Sequence, residues 1–208
     1  ELRQDRSLSE KITLIYAGSI GLESVAAKLD SISAINDLAV IKVPPLIQDD
    51  AKNFVETLAK ANNINIDEQS IIYMLKQIEW LIPFYIQLIM DELRKINVVI
   101  TNEIIDNTFK SLLENRNHFE HWHIRLKSLE DNEYKFAKEV LNFVSENDII
   151  TSSEILNIAT KYTLLEDTAK EVRNSLVYDG YINNNDNIKE FRFNSPILKM
   201  WWYKNVAN

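Results

Sequence analysis

A chain of 208 residues, 46% hydrophobic and 26% charged, carries enough apolar material for one large domain or two to three small ones. Its 23 basic residues against 31 acidic ones leave a formal net charge of -8, which excludes a dominant electrostatic pull towards nucleic acid or anionic membrane and leaves room only for a local basic patch. The absence of cysteine excludes a disulfide framework and a thiolate metal site, and fits a reducing, cytoplasmic setting.

Residues 1–6 read as a charged helical tail and residues 12–17 as a buried strand that runs into Gly18-Ser19-Ile20-Gly21. Two of the three glycines of the chain sit in that tetrapeptide, so its backbone is expected to turn where other residues resist. A short helix around 22–30 follows. The glycines also exclude a complete phosphate loop of the G-x-x-x-x-G-K-[ST] type, because Glu23, Ala26 and Asn185 stand five places after Gly18, Gly21 and Gly180. The apolar stretch 12–22 is broken by glycine and serine and preceded by mixed charges, a pattern of a buried strand rather than a secretory core. A second apolar run, 38–43, stops at Pro44-Pro45. One or two strands leave backbone groups unpaired and a face uncovered, so this region calls for a partner chain or upstream sequence.

After the prolines the period becomes 3.6, with Ala51, Phe54, Val55 and Leu58 on one helical face and Ile71, Met74, Leu75 and Ile78 on the next. A third helix starts near Pro83, where proline suits a first turn, and carries Tyr85, Ile86, Ile89, Met90 and Leu93. Its greasiest stretch, 82–90, is far short of the ~20 residues that cross a bilayer. Three amphipathic helices in sequence predict a small bundle.

A break at 97–101 leads to a helix over 102–113 and then to the aromatic and histidine-rich segment 117–126. His118 and His121 share a helical face there, His123 points elsewhere, no fourth ligand is evident, and Phe119 and Trp122 interleave as packing residues. The segment is therefore expected to be a structural helix without a metal. A helix with Phe136, Val140, Phe143 and Val144 on one side ends near Asn147. Thr151 and Glu154 have the capping-box spacing that starts a second helix, and Thr163 and Glu166 repeat it for a third. That helix presents Leu165, Ala169, Val172 and Leu176 and stops at Asp179-Gly180, a left-handed cap. Tyr181-Ile182, the polar turn 183–187 and the alternating Phe191 and Phe193 then read as a β-hairpin. Three helices followed by a hairpin is a winged-helix arrangement. Trp201, Trp202 and Tyr203 are expected to close its core rather than form an exposed contact patch.

In this order of parts the chain resembles the C-terminal portion of a prokaryotic AAA+/STAND-type P-loop ATPase. The resemblance rests on the strand ending in Gly18-Ser19-Ile20-Gly21-Leu22, the step Val43-Pro44-Pro45-Leu46, the helix start Trp80-Leu81-Ile82-Pro83, and the terminal run from Phe191 to Trp202. It implies a mainly α fold: a small α/β core remnant with the sensor-1 strand over 1–46, a helical lid bundle over 47–98, and linker helices with a C-terminal winged-helix domain and β-hairpin wing over 99–208. It further implies that Ser19 senses the γ-phosphate while Gly18 and Gly21 keep the turn close, and that Pro83 is the lid proline near the nucleotide base. Leu81 stands where the family's G-x-P motif has glycine. Read locally, Ser19 is also a helix cap and Pro83 a first-turn residue. ATP and magnesium are implied for the full-length protein. The chain as given lacks Walker A and Walker B, is not expected to hydrolyse ATP alone, and reads as a fragment whose first partner is a missing N-terminal nucleotide-binding half.

The alternative is a standalone winged-helix DNA-binding or adaptor protein. Residues 130–208 hold 13 acids and 9 bases, a net of -4, and the third helix sets Glu166, Asp167 and Glu171 against Lys170 and Arg173. That balance suits a protein partner better than a phosphate backbone. No membrane partner is expected. Ser19 lies far in sequence from the histidines, which leaves no sign of a nucleophilic triad. Arg3 and Arg6 read as solvated helix residues, with an inter-subunit phosphate contact as the other option.

Overall fold

The computed structural model describes residues 43–207, together with Ile15, Ala39 and Ile41 as isolated positions. The chain divides into two units, Glu1–Ala39 and Val40–Asn208, and the elements described belong to the second. Ser19, Gly18 and Gly21 lie outside the described residues, as do Arg3, Arg6 and the helix expected over 22–30. Within the two expected strands, Ile15, Ala39, Ile41 and Val43 have irregular backbone and are exposed.

Four helices come first: α1 (Gln48–Ala61), α2 (Glu68–Ile78), α3 (Pro83–Leu93) and α4 (Asn102–Glu114). Their apolar stripes pack inward as the periodicity requires, with Ile71, Met74, Leu75 and Ile78 of α2 and Tyr85, Ile86, Ile89, Met90 and Leu93 of α3 all buried. Asp67 caps α2 by accepting the Ser70 N–H at 2.7 Å. The expected break at 97–101 does more than link. Ile66 and Ile100 form an isolated parallel bridge, and Ile100 N–H donates to the Asn65 carbonyl at 2.8 Å, tying the starts of α2 and α4 together. Tyr73 and Gln77 of α2 both donate to Asp106 of α4, at 2.9 and 2.7 Å.

A short 3-10 turn (Arg116–His118) and α5 (Glu120–Leu126) lead into α6 (Asp131–Asn147), β1 (Ile150–Thr151), α7 (Ser152–Lys161), α8 (Glu166–Tyr178), β2 (Ile182–Asn183), β3 (Glu190–Phe193), α9 (Pro196–Trp202) and a closing turn over Tyr203–Ala207. The described fold is mainly helical with a small antiparallel sheet of order β1-β3-β2. Ile150 is opposite Phe191 and Ile182 opposite Phe193. Trp201 and Trp202 are wholly buried, whereas Tyr203 is 45% exposed and belongs to the surface. One apolar core runs from Ala51 to Val206, and an aromatic seam crosses it: Tyr85 stacks on Phe119 (6.1 Å), Phe119 meets Trp201 (5.7 Å), and Trp202 meets Tyr181 edge-on (6.3 Å). Among the described residues no helix is long and apolar enough to cross a membrane.

Thr151 and Glu154 form the full capping box at the start of α7. The second box does not form. Thr163 sits at φ 55° as the left-handed residue that ends α7, with its hydroxyl turned back to the Tyr162 carbonyl (2.7 Å), and so is spent before α8 begins. Leu165 is the N-cap of α8 without any side-chain bond, and it is 76% exposed rather than part of the apolar face.

Candidate functional site at the start of α3

Two tight turns, back to back, join α2 to α3. Glu79 has φ 55° and ψ -56°, Trp80 N–H donates to the Ile78 carbonyl at 2.6 Å, and Ile82 N–H donates to the Trp80 carbonyl at 2.8 Å. Both bonds span only two residues, the signature of γ-turns. The Leu81 carbonyl accepts Leu46 N–H at 2.9 Å, which anchors the incoming segment to the same turn. Pro83 then opens α3 at the first helical position, where its missing N–H costs nothing, and Ile82 provides no side-chain cap. Pro83 and the following Phe84 are both exposed.

Phe84 stands edge-on to His121 of α5 (5.6 Å) and to Phe119 (6.4 Å). Burial, then the Arg125 guanidinium, push the His121 pKa below its ordinary value, partly offset by the His118 carbonyl. The next ring inward is Trp122, with His121 at 5.6 Å and Arg125 over its face at 5.1 Å. Its carbonyl accepts the Tyr181 hydroxyl at 2.6 Å, and burial pushes that phenol well above its ordinary range. Trp80 lies between Tyr85 (6.0 Å) and Trp122 (6.4 Å) and closes on Gly180: a Cβ there would fall 2.4 Å from Trp80 Cη2.

Pro83, Phe84 and His121 thus stand together at the surface as a largely apolar rim. The three histidines face different neighbours. His118 Nε2 lies 3.0 Å from Asn115 Nδ2, His121 meets Phe84, and His123 Nε2 lies 3.0 Å from the Tyr134 hydroxyl with Glu120 3.7 Å from its other nitrogen. Among the described residues no group of three or more His, Cys, Asp or Glu is arranged to hold a metal ion.

Of the residues singled out from sequence, Pro83 falls in this site, as does His121, there as a neighbour of Phe84, and Ser19, Gly18 and Gly21 lie outside the described residues. Glu79, Phe84 and the Trp80–Gly180 contact were not legible as a site. The one signal was Gly180 itself, the third glycine in a glycine-poor chain. Comparisons with protein-family models, with curated proteins and with solved structures found no match.

Proposed function

We propose that this chain is the C-terminal regulatory part of an ATP-dependent switch ATPase, in which a helical lid relays nucleotide state to a winged-helix interaction domain. The observation that carries the reading is the order from α6 onwards: helix, strand, helix, helix, strand, strand, with the sheet ordered β1-β3-β2. A winged helix has that order, and here it follows a bundle whose third helix opens at an exposed proline. Pro83, Phe84 and His121 suit the flat face of a nucleobase. Ser19, with Gly18 and Gly21, would report the γ-phosphate by the resemblance alone. ATP and magnesium would be held by a phosphate loop and acidic ligands supplied from a preceding nucleotide-binding half, since the described residues around Pro83 provide neither.

The winged unit is better suited to a protein partner than to DNA. In α8, the helix that would enter a major groove, Lys170 is paired with Glu166 at 2.6 Å and Arg173 lies over the Phe191 ring at 5.5 Å. Asp167 and Glu171 face solvent on the same helix, beside the neutral Asn174 and Tyr178, and the two carboxylates repel phosphates.

The deciding measurement is the intact mass of the natural gene product. A mass well above 24.2 kDa, with added N-terminal sequence containing a phosphate loop, supports the switch ATPase. A mass of 24.2 kDa overturns it and makes the standalone adaptor or DNA-binding reading the leading one. A steep salt dependence in a DNA shift assay would then separate those two.

A further inference from the structure

The turn between α2 and α3 stores strain at a residue whose chemistry does not invite it. The positive-φ γ-turn is rare and costly for any residue with a Cβ, and Glu79 adopts it at φ 55°. Such outliers persist only where the surroundings hold them, and two holds are visible beside one weak, exposed ion pair. The Leu81 carbonyl is bonded to Leu46 N–H, Glu79 Oε2 lies 3.7 Å from Arg192 Nη1 on β3, and the Trp80 indole fills the space that Gly180 leaves open at the end of α8.

We propose that residues 78–82 form a two-state joint between the helix that begins at Pro83 and the β2–β3 hairpin. In the strained state Trp80 rests on Gly180 and Glu79 on Arg192. Relaxation of Glu79 to negative φ swings the next residue, withdraws the indole from Gly180 and releases the Arg192 contact. Relaxation gives up the Trp80 N–H bond to the Ile78 carbonyl, which the γ-turn closes, and in exchange removes the positive-φ penalty at Glu79, the balance that a bistable element needs. Gly180 provides a slot without a side chain that the indole can leave and re-enter, and Arg192 keeps a second carboxylate, Asp186 Oδ2, at 3.0 Å when Glu79 departs. The joint's regulatory meaning rests on the lid reading above, because a ligand beside Pro83 is what would bias it.

The test is amide and indole relaxation-dispersion NMR on the whole chain without nucleotide, so its failure leaves the lid reading standing and a failure of that reading leaves the joint testable. The expected result is one shared exchange process at Trp80, Gly180, Ile182 and Phe193, with a minor state populated at about 0.1–10%. Glu79→Gly relieves the strain and lowers that population roughly fivefold, since the exposed Glu79–Arg192 pair it also removes contributes little. Gly180→Ala fills the slot and moves the same resonances towards the minor-state shifts, and Trp80→Phe does so if the alanine variant fails to fold. Flat dispersion at these positions, or exchange confined to the turn while β2–β3 stays still, overturns the proposal.

Discussion

Helices α7 and α8 end in the same way with different residues. Thr163 N–H bonds to the Thr160 carbonyl and Leu164 N–H to that of Ala159, both at 3.2 Å, while Gly180 N–H bonds to Val177 at 3.1 Å and Tyr181 N–H to Leu176 at 3.0 Å. This is the paired hydrogen bonding of a Schellman end. The left-handed residue is a threonine at φ 55° in one and a glycine at φ 82° in the other. The motif is therefore specified by the orphan carbonyls and by the apolar residue that follows, Leu164 or Tyr181, and glycine is not compulsory for it. At α8 glycine has a second reason: Trp80 occupies the place of a side chain.

Gly180→Ala breaks the comparison hardest. It combines a left-handed penalty of ~1 kcal/mol with overpacking against a ring already flanked by Tyr85 and Trp122, for a total loss of about 2–4 kcal/mol in denaturant unfolding. In a Trp80→Ala background the same change should cost only the backbone part, about 1 kcal/mol. Equal costs in both backgrounds would mean that φ alone requires the glycine. At the other end of α7, Thr151→Ala removes a cap that satisfies the Glu154 N–H and should cost about 1 kcal/mol by the same measurement. Thr163→Gly should stabilise by about 0.5–1 kcal/mol, the relief of a β-branched left-handed residue less the added freedom of the unfolded chain. No gain would show that the Thr163 hydroxyl bond to the Tyr162 carbonyl offsets the strain.

What the sequence made legible was whatever repeats or closes locally. The apolar stripes of α2 and α3, the Thr151–Glu154 box, the Gly180 cap and the burial of Trp201 and Trp202 all follow from residues a few places apart. Thr163 and Glu166 have the same letters as the true box, yet the short connection gives Thr163 to the end of α7 and leaves Leu165 exposed at the start of α8. Contacts between distant segments left no trace in local pattern: Ile66 with Ile100, or Trp80 with Gly180. The Glu79 turn was hidden for a different reason, since glutamate carries no preference for positive φ and is held there by its neighbours. In the candidate site Pro83 was visible as a helix start, while Phe84 and His121 became partners only once α3 and α5 packed.

The starts of the two helices differ as their ends do, and the smallest expected effect separates them. Glu154 accepts the Thr151 backbone N–H and hydroxyl, both at 2.8 Å, which hold its carboxyl below the usual 4.5. Glu166 is also held below 4.5, but by hydrogen bonding to the Lys170 ammonium one turn on. Both folded-state values lie beneath the unfolded one, so each contribution to stability is complete above about pH 4.5 and fades as pH falls through the depressed value. Salt tells them apart. At about 1 M, where screening acts within ~3 Å, the exposed ion pair at α8 should lose most of its effect and the Glu166 pKa should return towards normal, whereas the Glu154 shift, carried by a backbone N–H, should persist. Carboxyl carbon NMR titration at low and high salt reads both groups at once. If the two move together, the start of α7 is held by the general field of the chain rather than by its capping box.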